Sequence, residues 1–62
     1  MLLFGDTKEE VQILRALAEG IRDGEIITKN LGLSVPVFNQ TITMLEIKGL
    51  VRGLGANQWT LK

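Results

Sequence analysis

Ile27-Thr28-Lys29-Asn30-Leu31-Gly32-Leu33-Ser34-Val35-Pro36-Val37-Phe38-Asn39-Gln40-Thr41-Ile42 is the stretch that decides the fold. Ile27 and Leu31 stand one helical turn apart, and the pattern stops at Gly32, the residue type that tolerates the left-handed backbone of a helix C-terminus. Ser34 then caps a new helix with Pro36 in its first turn, where a missing amide costs nothing. A residue before proline resists the α region, which leaves Val35 as the alternative cap. At 100° per residue, Phe38, Ile42 and Leu45 share one face with Thr41 at its edge. Pro36, Gln40, Thr43 and Ile47 fall on the opposite face. With Leu33 plugging the glycine turn and both inner faces apolar, the spacing predicts a helix-turn-helix.

Upstream, Thr7-Lys8-Glu9-Glu10 reads as a capping box that opens a first helix. Its expected inner face is Val11, Leu14, Leu17, Ala18 and Ile21, with Gln12, Arg15 and Glu19 outside and Gly20 as the stop. Asp23-Gly24 breaks the chain and caps the second helix, expected over 25–31. Downstream, Gly49 ends the third helix, and two short strands follow over 50–54 and 58–62, joined by Gly55-Ala56-Asn57. Trp59 and Leu61 are expected to face inward, Gln58, Thr60 and Lys62 outward. The fold class expected is mostly α with a small β-hairpin: a winged helix-turn-helix, one domain over 1–62. Leu2-Leu3-Phe4, within residues 1–6, is expected either as an extended strand against the hairpin or as the stub of a linker.

Composition narrows the function. The 62 residues contain no Cys and no His, which excludes disulfide scaffolds, thiolate or imidazole metal sites, Cys nucleophiles and Ser-His-Asp triads. No paired carboxylates, phosphate-cradling glycine loop or metal cluster stands out either, so neither an enzyme nor a cofactor is expected. No apolar run approaches the roughly 18 residues that span a bilayer, and a cytoplasmic protein is expected. Seven basic and seven acidic residues cancel, but unevenly. Residues 1–25 carry a net charge of −3 and residues 26–62 a net charge of +3, which places the positive half on the third helix and the hairpin, as a phosphate-facing surface requires.

The C-terminal motifs resemble a known family. Gly32-Leu33-Ser34-Val35, Leu45-Glu46-Ile47-Lys48-Gly49-Leu50-Val51-Arg52 and Asn57-Gln58-Trp59 are similar to the closing segment of the C-terminal winged-helix domain of the DNA processing protein A family. The Glu9-Glu10-Val11-x-Ile13-Leu14 core is similar to that domain's first helix. The resemblance covers residues 7–62 and implies a winged helix with a part in natural transformation. There the family binds incoming single-stranded DNA and helps load the recombinase. Because the family's single-strand site lies in a Rossmann-like domain outside these residues, what carries over is an accessory module. The sequence departs from the family where Gly53 and Gln58 replace the arginines often found in its wing.

Three functional readings follow. In the first, Lys29, Lys48, Arg52 and Lys62 touch duplex DNA backbone, while Asn39, Gln40 and Thr43 on the third helix reach base edges or thymine methyls. In the second, Val37, Met44 and Ile47 on that helix's outer side form an interface for a protein partner or a second copy of the chain. A winged-helix transcription regulator ranks third, because no long extra helix remains to build a dimer.

Overall fold

Each helix begins on the cap that its sequence supplies. The computed structural model describes residues 7–62 and contains α1 (Lys8–Ala18), α2 (Gly24–Leu31), α3 (Val35–Ile47), β1 (Val51–Gly55) and β2 (Gln58–Leu61). Thr7 Oγ1 accepts from the Glu10 amide at 3.1 Å. Asp23 Oδ1 accepts from Glu25 at 2.8 Å and Ile26 at 3.2 Å. Ser34, not Val35, caps α3 and accepts from the Val37 amide at 3.3 Å, because its extended backbone (ψ 157°) puts the hydroxyl over the first turn. Gly32 closes α2 in the left-handed region at φ 68°. The Leu33 amide then reaches back to the Thr28 carbonyl at 3.0 Å and fixes the angle of the helix-turn-helix.

Ile13, Ile27, Ile42 and Leu45 are fully enclosed, joined by Leu14, Ala16, Leu17, Phe38 and Val51. Phe38, Ile42 and Leu45 thus occupy the face expected of them. On α1 the expected face is displaced. Ile13 and Ala16 are buried, Ala18 is exposed, and Val11 and Ile21 are only half-buried. The helix packs against α2, α3 and β2 at once, so its covered arc is wider than a single amphipathic stripe and is centred differently.

β1 and β2 pair antiparallel, with Val51 opposite Leu61, Arg52 opposite Thr60 and Gly53 opposite Trp59. The register shifts between Gly53 and Gly55, so Leu54 bulges. The connection is two residues, Ala56 and Asn57, both at positive φ (51° and 59°), the pattern of the primed turns that match strand twist. Alanine carries a steric penalty there that asparagine tolerates, so Ala56→Asn should raise stability by roughly 0.5–1 kcal/mol, read as a higher denaturant midpoint with an unchanged slope.

A third backbone segment completes the sheet, and the sequence reading did not anticipate it. Trp59 N–H donates to the Arg22 carbonyl at 2.9 Å, Gly24 N–H donates to the Asn57 carbonyl at 2.8 Å, and Asp23 bridges Gln58. β2 is therefore central, and the tip of the wing lies against the start of α2. Gly24 allows this approach, since a Cβ there would come within 2.7 Å of Asn57 Oδ1. Trp59 packs half-buried on the core, with its ring over Gly53. Leu61, expected inside, is 40% exposed. It lies at the end of the hairpin, on the rim of an open groove shared with Leu14, Ala18 and Leu50. The expected placement of Leu2-Leu3-Phe4 lies outside the described residues.

Candidate nucleic-acid interface

α3 presents Asn39, Gln40 and Thr43 to solvent. The Thr43 hydroxyl is engaged within the helix, donating to the Asn39 carbonyl at 2.7 Å, which leaves its methyl as the outward group. Lys29 and Asn39 line one hollow between α2 and α3, together with Glu25, Thr28 and the wing residue Asn57, over a floor that includes Phe38. Here a candidate cation and a candidate base-reading side chain share a hollow. Asn57 and Glu25 were not among the candidates. The positive φ of Asn57 marks it as a turn residue but gives no hint that the turn would fold back onto α2.

The other three cations are placed differently. Lys48, the C-cap of α3, points its ammonium at Glu10 on α1, with Nζ 2.7 Å from Oε1. The Glu10 side chain is 5% exposed and that of Lys48 24%. Glu10 thus does more than complete a capping box, and Lys48 is held by a carboxylate in the very position assigned to phosphate. Arg52 is exposed on the outer face of the wing opposite Thr60. Lys62 lines the groove beside Arg15, Leu14 and Leu61, on the α1 side, and its amide donates to the Leu50 carbonyl at 3.0 Å. The four candidates do not share one hollow.

Val37, Met44 and Ile47 all reach solvent on α3, at 38%, 43% and 73% exposure. Among the described residues no group of three carboxylates, or of other ligand types, is placed to hold a metal ion, and no helix is long and apolar enough to cross a membrane.

Three capped helices, a glycine-turned α2–α3 pair and a hairpin laid beside it are the parts of a winged helix, and the sequence match agrees, covering residues 2–57 with the DprA winged helix domain. The chain belongs to that family. No curated protein and no solved structure matches it. Of the thirteen residues of α3 in this DprA-type winged helix, only Glu46 is charged. The short wing, with its tip against α2, leaves Arg52 as the single cation of its two strands.

Proposed function

We propose that this DprA-type module is the accessory nucleic-acid contact of a DNA processing protein active in natural transformation, touching duplex backbone weakly and without sequence preference. It acts in the cytoplasm and performs no catalysis itself. The observation that carries this reading is the hollow in which Lys29, in the last turn of α2, stands beside Asn39, in the N-terminal half of α3, within a chain of this family. A phosphate on Lys29 would hold the duplex so that Asn39, Gln40 and Thr43 meet the groove, with Arg52 as a second backbone contact. Positioning contacts of this kind carry little sequence information. The absence of arginine on α3 removes the commonest specific contact, that to guanine.

The number of phosphates neutralised sets the salt dependence. With Lys48 committed to Glu10 and Lys62 on the α1 side, only Lys29 and Arg52 remain well placed, so the log-log slope of affinity against salt should be about −2, not −4. Titration of labelled duplex and single strand at two salt concentrations measures it. Lys29→Gln should reduce the slope by about one. Absence of saturable binding at low salt would remove the reading.

A further inference from the structure

We propose that the outer face of α3 is a helix-pairing seam, and that its occupant is α3 of a second copy of this chain, lying parallel to it. Val37, Gln40, Met44 and Ile47 are spaced three, four and three residues apart, the a/d alternation by which one helix packs along another. At 100° per residue these four lie within about 80° of one another, on the side away from Phe38, Ile42 and Leu45. All four are exposed. A scattering of single apolar residues is ordinary on a protein surface, but three in seam register on one helix face are a pattern.

Two observations select a second copy as the occupant. The first is charge: the seam and the positions flanking it, Pro36, Thr41 and Thr43, are uncharged, Lys48 is turned to Glu10, and the chain as a whole has a net charge of zero. Two copies therefore meet without like-charge repulsion, whereas a phosphate backbone finds no cation there. A paired Gln40 is withdrawn from the groove, so pairing and groove contact at this face exclude one another. The second is Gln40. A glutamine carboxamide both donates and accepts, so in a parallel pair Gln40 meets its own equivalent and each satisfies the other. Val37, Met44 and Ile47 then also meet their equivalents. An antiparallel pair would set Gln40 against Met44, which offers its carboxamide no comparable partner. A single polar residue in such a seam fixes register at a cost in strength.

Three helical turns bury far less than the roughly 1,600 Å² of a standard stable interface, so the association of the isolated domain is weak. Tethering two copies through the rest of a longer protein would strengthen it by raising the effective concentration.

The test is sedimentation of the purified domain from about 20 µM to about 1 mM, with thermal melts confirming that each variant folds. The parent should shift reversibly from monomer to dimer. Gln40→Glu places two carboxylates face to face and should weaken the dimer at least about tenfold at neutral pH. Ile47→Glu should do the same. Gln40→Leu should tighten it several-fold, and Arg52→Gln, on the wing, should leave it unchanged. A parent that stays monomeric up to the highest concentration, or a dimer indifferent to Gln40→Glu and Ile47→Glu, overturns the proposal.

Discussion

Phe38→Ala is expected to lower the stability of the domain by roughly 3 to 5 kcal/mol, the usual cost of truncating an enclosed aromatic ring. Phe38 is 3% exposed and belongs to the cluster formed with Ile27, Ile42, Leu45 and residues of α1. Truncation leaves a void that the surrounding isoleucines fill poorly, since β-branched side chains have few alternative rotamers. A single core this small supplies roughly 3–5 kcal/mol in all, so the variant should be largely unfolded at room temperature. Circular dichroism against denaturant measures the loss. A midpoint within experimental error of the parent's would mean that α3 is rotated about its axis from the placement described here.

The second large effect concerns Lys48. Lys48→Met keeps most of the aliphatic stem and removes the ammonium that meets the Glu10 carboxylate at 2.7 Å. A carboxylate enclosed to this degree depends on its countercharge, so the variant should lose about 2 kcal/mol, less than for a fully buried pair because Lys48 retains some solvent. Glu10→Gln combined with Lys48→Met should recover part of that loss, because a neutral amide no longer needs the countercharge. The same variant separates the two roles of Lys48. As a tie between α1 and the end of α3 it changes the melting temperature and leaves DNA affinity nearly untouched in the folded protein. As a phosphate contact it would do the reverse, reducing the salt slope by about one at unchanged stability.

What could be read from the sequence is what is settled locally. Thr7, Asp23 and Ser34 cap the helices they precede because a side-chain oxygen two or three residues from an unpaired amide needs nothing else to act. Gly32 and Gly49 adopt positive φ for equally local reasons. The inner face of α3 was legible because its partners cover one side. That of α1 was legible at Leu14 and Leu17 but not at Ile13 and Ala16, whose burial takes partners on three elements. The bridge of Asp23 to Gln58 was invisible for another reason. Two or three residues of backbone pairing leave no periodicity in side chains, and 23 and 58 are far apart in sequence. The Glu10–Lys48 pair spans 38 positions, so no spacing rule could have withdrawn Lys48 from the basic surface. Lys29 and Asn39 were each recognised singly, but their meeting in one hollow depends on the angle of the α2–α3 turn.

Gly53 lies under the indole of Trp59, with a virtual Cβ only 3.0 Å from the ring. Positions 53 and 59 are therefore coupled: a side chain at one presses on the ring at the other. The wing exchanges reach for area. Its aromatic covers the opposing backbone, where an arginine would instead extend toward a phosphate, and placing an arginine at 53 would require the Trp59 ring to shift by a few tenths of an ångström. The constraint is confined to position 53: at Gln58, which is exposed, a cation would meet no such ring, so the wing could gain charge at one of its two strands more readily than at the other.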